Sequence, residues 1–336
     1  MNDLLEMRHV SVTYRTYHGL VQSARDVSFS VKRGQTVALV GESGCGKSVT
    51  AKSIMGLIKK PGKISEESEI IFDGTDIMKL SSGELRKFRG KECSMIFQDA
   101  LVSLNPTMKI GKQIIESLDN HMPELSKGEK QQRAIEMLQM TGIADAEQCL
   151  RKYPHELSGG MRQRVMIAIA LITHPKLLIA DEPTTSLDVT IQAQILKQMK
   201  KLQEQMGMAI LLITHDLGIV ADVADKVIVM YAGKIVEEGE CREIFYHPRH
   251  PYTKALLNSV PKLSAMGKQM LQTIDGSIPD MTNPPKGCAF CERCPYAMKV
   301  CAQYCPEETM VSEGHKASCW LLDERAGRRR AGNGNA

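Results

Sequence analysis

The segment at residues 41–48, GESGCGKS, carries glycines, a lysine and a serine at the spacing that binds a chain of phosphates. An apolar run at residues 36–40 predicts a buried strand before it, and a helix is predicted from Lys47 to about Leu57. Glycines let backbone N–H groups turn towards phosphate oxygens, and the start of the helix adds the positive end of its dipole. We expect Lys47 to reach the β- and γ-phosphates and the Ser48 hydroxyl to bind Mg²⁺. The predicted phosphate-binding residues are Gly41, Ser43, Gly44, Cys45, Gly46, Lys47, Ser48 and Val49.

An acidic pair ends a second apolar run, at residues 177–182. Asp181 is placed to hold Mg²⁺ through its water shell, and Glu182 to orient and deprotonate an attacking water as a general base. Such pairs are common in loops, but here the pair follows a phosphate-binding segment. Together the two segments predict hydrolysis of a nucleoside triphosphate.

A third segment, LSGGMRQR at residues 157–164, precedes the acidic strand and opens an apolar helical run. With this order of motifs, residues 4–260 resemble the ABC-type ATPases. The resemblance implies an α/β P-loop fold with a RecA-like core, an antiparallel β subdomain and a helical subdomain, and it implies ATP and Mg²⁺ as ligands. It also implies that five signature residues act on ATP held by another ATPase domain: Leu157, Ser158, Gly159, Gly160 and Met161.

The same resemblance assigns further positions. Tyr14 matches an aromatic residue that stacks on adenine, although it also suits a strand core, and Tyr17 is a competitor. Gln98 matches the Q-loop glutamine, Asp188 in the segment at residues 186–188 matches the D-loop, and His215 matches the switch histidine that contacts the γ-phosphate. The implied catalytic residues are Glu182, His215 and Gln98, and the implied Mg²⁺ ligands are Ser48, Gln98 and Asp181.

Six of the ten cysteines lie between residues 288 and 319. In a reducing cytosol such a group indicates a metal or cluster site rather than disulfides. The spacing alone permits a ferredoxin-type cluster, a zinc site or a loop of free thiols. The segment also resembles the C-terminal extension of peptide-importer ATPases, where the ligands of an iron–sulfur [4Fe–4S] cluster would be Cys288, Cys294, Cys301 and Cys319, with Cys291 and Cys305 as extra thiols.

The segment at residues 245–256, FYHPRHPYTKAL, resembles the His-Pro-Tyr segment of ATPases from oligopeptide and dipeptide importers. The implied function is ATP hydrolysis that powers import of di- or oligopeptides, at the cytoplasmic face of the cytoplasmic membrane. The implied partners are a second, related ATPase subunit, two membrane permease subunits and an extracytoplasmic peptide-binding protein. A nickel or other small-solute importer is one alternative, and a non-transport ABC ATPase acting on DNA or ribosomes is another.

Composition narrows these alternatives. A net charge of +4 is too small to indicate nucleic-acid binding, and no coiled coil separates the motifs. No apolar run approaches the roughly 20 residues of a spanning helix, and the start does not resemble a secretory leader. We therefore expect a peripheral subunit.

Three parts are predicted along the chain. Residues 1–260 form the ATPase domain, with a helical subdomain at about 100–165, and residues 261–323 form the cysteine-bearing extension. Residues 324–336 are a basic tail that we expect to be disordered. Within the core, a helix at residues 191–205 lies between strands at 177–180 and 209–214, which predicts a parallel sheet.

Overall fold

The computed structural model describes residues 3–98, 103–184, 187–259 and 274–326. Its strands are β1 Leu5–Thr16, β2 Gly19–Val31, β3 Thr36–Val40, β4 Gly62–Ile64, β5 Glu69–Phe72, β6 Thr75–Asp76, β7 Cys93–Ile96, β8 Leu177–Asp181, β9 Ala209–Thr214, β10 Lys226–Tyr231, β11 Lys234–Glu240, β12 Thr309–Ser312 and β13 His315–Ala317. Its α-helices, in our numbering, are α1 Lys47–Ile54, α2 Ser82–Lys91, α3 Ile110–His121, α4 Lys127–Met140, α5 Ala146–Arg151, α6 Gly159–Leu171, α7 Val189–Met206, α8 Leu217–Val223, α9 Cys241–Tyr246, α10 Pro251–Asn258 and α11 Lys299–Gln303.

The larger sheet runs in the order β12-β13-β11-β10-β3-β9-β8-β7, and its five strands from β10 to β7 are parallel. Every residue of β3, β8 and β9 is buried. Continuous apolar strands are typical of parallel sheets covered on both faces, which is why the parallel core was predictable. The carboxyl ends of β3, β8 and β9 lie side by side, so the motifs that follow them meet at one edge.

The smaller sheet is antiparallel, with the order β2-β1-β5-β6 and β4 paired to β1. β1 and β2 form one long hairpin that closes at Thr16 and Gly19. The sequence pattern indicates a β-strand only from Val27 to Val31, and it misses the first eight residues of β2. The missed part, residues 19–26, is largely half-buried or exposed and lacks the apolar pattern that marks a strand.

Helices α3 to α6 follow β7 and pack in an apolar cluster that they share with α7 and with one face of strands β7, β8 and β9. α4 begins with a capping box, in which Ser126 and Glu129 satisfy each other's backbone N–H groups. The fold class expected from the sequence is confirmed. In the ranges given above, no helix combines the length and the apolar character that crossing a bilayer requires.

Strands β12 and β13, near the C-terminus, extend the larger sheet, because β13 pairs with β11. No pattern in these residues indicates the addition from the sequence alone. His315, the first residue of β13, is fully buried, and its Nε2 lies 2.8 Å from Oε1 of the buried Glu237. The Glu237 carboxylate also accepts hydrogen bonds from the backbone N–H groups of Arg249 and His250. One buried carboxylate thus joins the cysteine-bearing extension to the His-Pro-Tyr segment.

His250 caps the N-terminus of α10. Its Nδ1 accepts a hydrogen bond from the backbone N–H of Tyr252, at 3.0 Å, and the residue is 1% exposed. Burial lowers the pKa of His250 from 6.5 to about 3, because the charged imidazolium loses its hydration. Folded protein therefore keeps this ring neutral over the physiological pH range.

We predict that the His250→Asn variant loses less free energy of unfolding in mild acid than the wild type does. The unfolded chain takes up a proton on His250 below about pH 6.5 and the folded chain does not, so the free energy of unfolding falls as pH decreases, by up to about 1.4 kcal/mol per pH unit. Asparagine keeps a capping acceptor but does not titrate. Urea unfolding at pH 7.5, 6.5 and 5.5 measures the slope, with the exposed His247→Asn as the matched control. Equal slopes for wild type and His250→Asn would contradict this origin of the acid sensitivity.

Candidate nucleotide site

The phosphate loop between β3 and α1 fits tightly against neighbouring backbone. Gly41 and Gly46 have φ values of 147° and 104°, a region that strongly favours glycine. A Cβ on Gly41 would lie 2.2 Å from the carbonyl oxygen of Met230, and one on Gly46 would lie 2.2 Å from that of Ser23. The loop is therefore enclosed by β2 and β10, and a side chain at either glycine would displace it.

Lys47 lies buried inside this loop. Its Nζ donates to the carbonyl oxygens of Gly41, at 2.7 Å, and Glu42, at 2.9 Å. The sulfur of Cys45 lies 3.7 Å from the same nitrogen, and burial raises the pKa of that thiol. With the N-terminus of α1, the ammonium gives the loop a positive interior suited to anions. The side chain of Val49 packs against the apolar cluster that lies between the two sheets, so its phosphate contact would come from the backbone.

Ser48 and Asp181 meet at the predicted Mg²⁺ position. The Ser48 hydroxyl donates to Asp181 Oδ1 at 2.8 Å. Asp181 is 3% exposed, and burial raises the pKa of its carboxyl group, against the opposing effect of the Ser48 hydrogen bond. A divalent cation at this place would favour the charged carboxylate, so the pair suits a hard cation with oxygen ligands.

The structure brings together the three predicted catalytic residues. Gln98 Nε2 donates to Glu182 Oε2 at 2.8 Å, and His215 Nδ1 lies 3.4 Å from Glu182 Oε1. Glu182 has a φ of 47°, in the left-handed region that costs energy for a residue with a side chain. Its backbone N–H donates to the carbonyl oxygen of Ile213 at the end of β9, which holds this conformation.

The signature residues lie at the start of α6. Ser158 caps this helix by accepting from the backbone N–H of Met161, and it is exposed. Leu157 is buried, so it anchors the segment. Gly159 and Gly160 face Leu187 and Ile191, which belong to the D-loop and to α7. Asp188 in turn caps α7 by accepting from the N–H of Ile191, at 2.9 Å, while Ser186 of the predicted D-loop lies outside the described residues.

The two candidate adenine-binding tyrosines differ in exposure. Tyr14 is half-buried on β1, opposite Gly62 of β4, where its ring occupies the space that a Gly62 side chain would need. Tyr17 is fully exposed at the β1–β2 turn, with its ring edge-on to His18. This geometry gives Tyr14 a packing role within its sheet and leaves Tyr17 free in solvent.

Sequence reasoning missed two residues that contact the phosphate loop. Tyr252, of the His-Pro-Tyr segment, accepts a hydrogen bond from the backbone N–H of Glu42 at 2.9 Å. Arg293, of the C-terminal extension, pairs with the Glu42 carboxylate through both terminal nitrogens, at 2.7 and 3.0 Å. Glu42 occupies a variable position of the motif, and its partners are 210 and 251 residues away along the chain. No local pattern could have indicated either contact.

The cysteines of the extension lie in one segment, but their side chains do not form a metal-binding group in this structure. In the part of the chain that the structure describes, no three His, Cys, Asp or Glu side chains are close enough to hold a metal ion. Burial, with Cys301, Cys319 and Cys294 nearby, raises the pKa of Cys288 to about 12. Cys305 instead is exposed and lies 3.4 Å from Lys234 Nζ.

Four of these sulfurs share a feature. The backbone N–H groups of Phe290, Tyr296 and Leu321 lie towards the sulfurs of Cys288, Cys294 and Cys319, two residues before each, and they oppose the rise in the pKa of these thiols that burial causes. The sulfur of Cys301 accepts from the N–H of Met298 at 3.4 Å. Backbone N–H groups directed at sulfur stabilise thiolate charge, and they tune metal–thiolate centres.

Comparisons with known proteins match this architecture. The ABC transporter family matches residues 24–185, and the family described as the oligopeptide/dipeptide transporter C-terminal region matches residues 236–301. The chain is 54% identical to the oligopeptide transport ATP-binding protein OppD of Bacillus subtilis, over 95% of this chain and 89% of that protein. It is 50% identical to the dipeptide transport ATP-binding protein DppD of the same organism, over 97% of both chains.

Solved structures give the same result for the fold. A bacterial ABC transporter cassette, solved as a dimer, matches with a TM-score of 0.63 and 29% identity, over 71% of this chain and 99% of that one. A dimeric cassette in a post-hydrolysis state, bound to ADP and phosphate, matches with the same TM-score and 28% identity, again over 71% and 99% of the two chains. The chain therefore belongs to the ATP-binding proteins of the ABC transporter family, in the group that carries the oligopeptide/dipeptide transporter C-terminal region.

Proposed function

We propose that this chain is the ATP-hydrolysing subunit of a membrane importer for di- or oligopeptides. The observation that carries the hydrolytic part is the meeting of Gln98, Glu182 and His215 beside the Ser48–Asp181 pair. The names of the relatives, which describe oligopeptide and dipeptide transport, support the peptide substrate.

Glu182 is the general base in this proposal. It takes a proton from the water that attacks the γ-phosphorus, and ADP leaves as the bond to its β-phosphate oxygen breaks. Gln98 and His215 contact the two carboxylate oxygens, so they orient the base, and His215, which is 64% exposed, is free to turn to the γ-phosphate. Lys47 and the N–H groups of the phosphate loop hold the β- and γ-phosphates.

Ser48, Asp181 and Gln98 would hold Mg²⁺, which supplies positive charge against the phosphate oxygens when bound. The oxygen atoms of Ser48 and Asp181 are 2.8 Å apart, and the Asp181 carboxyl group is buried. Both are hard ligands of the kind that Mg²⁺ prefers. Gln98 contributes from the loop after β7 and links this position to Glu182.

The signature residues complete the site of another subunit. The start of α6 contacts Leu187 and Ile191, whereas the phosphate loop contacts β2 and β10, so the two segments lie against different elements. The exposed Ser158 and the N–H groups of the first turn present a positive helix end to a partner's γ-phosphate. This chain alone would hydrolyse ATP slowly, because each of its two segments supplies half of a composite site.

The proposed partners are a second, related ATPase, two permease subunits and an extracytoplasmic peptide-binding protein. The chain would lie at the cytoplasmic face of the membrane and be held there by the permeases. Gln98 matches the Q-loop glutamine, and the family resemblance implies that the membrane subunits dock at this loop. Its hydrogen bond to Glu182 would link that surface to the catalytic base.

The tagged chain, solubilised with detergent from membranes of the organism that encodes it, should co-purify with two permeases and a second ATPase. In proteoliposomes, a peptide-loaded binding protein should stimulate ATP hydrolysis by this complex. Stimulation by nickel alone would move the substrate from peptides to metal ions. Recovery of ribosomes or DNA in place of permeases would contradict the transport function.

We further propose a metal–sulfur site formed by Cys288, Cys294, Cys301 and Cys319. Supporting it are the Met298 N–H, which donates to the sulfur of Cys301 at 3.4 Å, and the three backbone N–H groups that lie towards the sulfurs of Cys288, Cys294 and Cys319. Thiols are the donors that both an iron–sulfur cluster and zinc take, so the set fits either in chemistry. Bound there, a [4Fe–4S] cluster would cross-link the extension and stabilise it.

Anaerobically purified protein should contain iron and acid-labile sulfide in about equal amounts, near four of each per chain. Cys288→Ser should lose most of both, because it removes one of the four proposed ligand thiols. Cys305→Ser is the matched control and should retain both, since Cys305 lies apart beside Lys234. Zinc without sulfide would overturn the cluster and leave a zinc site in its place.

A further inference from the structure

Arg293 belongs to the cysteine-bearing extension but reaches the phosphate loop. It lies between Cys291 and Cys294, and its guanidinium contacts Glu42, the second residue of the loop. We propose that Arg293 is a positioning residue for the ATP site: it fixes Glu42, neutralises its charge, and thereby sets the affinity for ATP. This inference rests on the ATP site of the proposed function.

The guanidinium uses all five of its N–H groups. The two terminal nitrogens bind the two Glu42 carboxylate oxygens at 2.7 and 3.0 Å. The remaining donors reach the Tyr231 hydroxyl at 3.1 Å and the carbonyl oxygens of Ile274 and Asp275 at 2.9 and 2.8 Å. Arginine has no other donor, so this pocket matches its fork completely and would match lysine poorly.

Packing holds the Arg293 side chain in this place. It is 6% exposed, and its charged carbon lies 5.7 Å from the centre of the Tyr231 ring and 5.9 Å from that of Phe290. Gly276 lies against its aliphatic part, where a Cβ would come within 3.2 Å of Arg293 Cγ. Tyr231 belongs to the core and Phe290 to the extension, so the arginine is fixed from both sides.

The backbone of Glu42 is held as firmly as its side chain. The carbonyl oxygen of Glu42 accepts from Lys47 Nζ, and its N–H donates to the Tyr252 hydroxyl. With side chain, N–H and carbonyl all engaged, Glu42 leaves the loop little freedom to change shape. A loop that is already ordered loses less entropy when it binds its ligand.

Charge is a second reason to expect that Arg293 affects the affinity for ATP. A carboxylate in a phosphate-binding loop would repel the polyphosphate of ATP. The bidentate pair with Arg293 cancels that charge, and the Glu42 carboxylate is only 25% exposed, so water screens it incompletely. Removing Arg293 therefore both loosens the loop and leaves a bare negative charge beside the phosphates.

The experiment measures equilibrium binding of a fluorescent ATP analogue with Mg²⁺ to the full chain. Arg293→Gln should raise the Kd about tenfold or more. Adding Glu42→Gln should restore most of the affinity, because it removes the charge that Arg293 neutralised. A residue that acted only through overall stability would lower the melting temperature without this suppression.

Lys316→Gln is the matched control. Lys316 lies in the same extension and forms ion pairs with Glu308 and with Glu238 of β11, but it touches no residue of the phosphate loop, so the Kd of this variant should equal that of wild type. Arg293→Lys provides a second variant if Arg293→Gln does not fold, and its Kd should rise several-fold, because one ammonium cannot span both carboxylate oxygens.

Two results would overturn the inference. The first is that Arg293→Gln binds the ATP analogue with wild-type affinity. If Arg293→Gln does not fold, wild-type affinity in Arg293→Lys is the equivalent result. The other is a double variant as weak as Arg293→Gln alone. Failure of the unaltered chain to bind ATP would instead overturn the proposed function together with this inference, so the two failures are distinguishable.

Discussion

The rest of the structure depends on how tightly the phosphate loop is enclosed. Carbonyl oxygens of Ser23 and Met230 occupy the space that side chains at Gly46 and Gly41 would need. Those oxygens belong to different sheets, since Ser23 lies in β2 and Met230 in β10. The loop therefore forms only where the antiparallel sheet, the parallel sheet and α1 meet, and that junction places its N–H groups and Lys47 around one anion site.

Parts of this site could be predicted because their signals are local. The glycines, Lys47 and Ser48 fall within eight residues, and Asp181 and Glu182 end an apolar run that reads as a strand. Strand order then brings these segments to one edge, because β8 and β9 are neighbours in the parallel sheet. The mutual contacts of Gln98, Glu182 and His215 follow from that topology together with the left-handed backbone at Glu182.

Other features could not be predicted, because they join residues distant in the chain. The pair between Glu42 and Arg293 spans 251 positions, and neither residue belongs to a fixed position of a motif. The addition of β13 to β11 is accompanied by a buried contact between His315 Nε2 and the Glu237 carboxylate, which no periodicity reveals. Spacing also left open which of the six clustered cysteines belong together.

The central claim is that Glu182 is the base of an ATPase, and the most direct test is single-turnover hydrolysis by the assembled complex carrying Glu182→Gln. Glutamine keeps the shape of the side chain but cannot accept the proton of the attacking water, so we predict normal ATP binding and a rate reduced about 100-fold or more. The exposed Glu66→Gln, which alters only a surface pair with Lys63, should hydrolyse at the wild-type rate. Hydrolysis at the wild-type rate by Glu182→Gln would contradict the account.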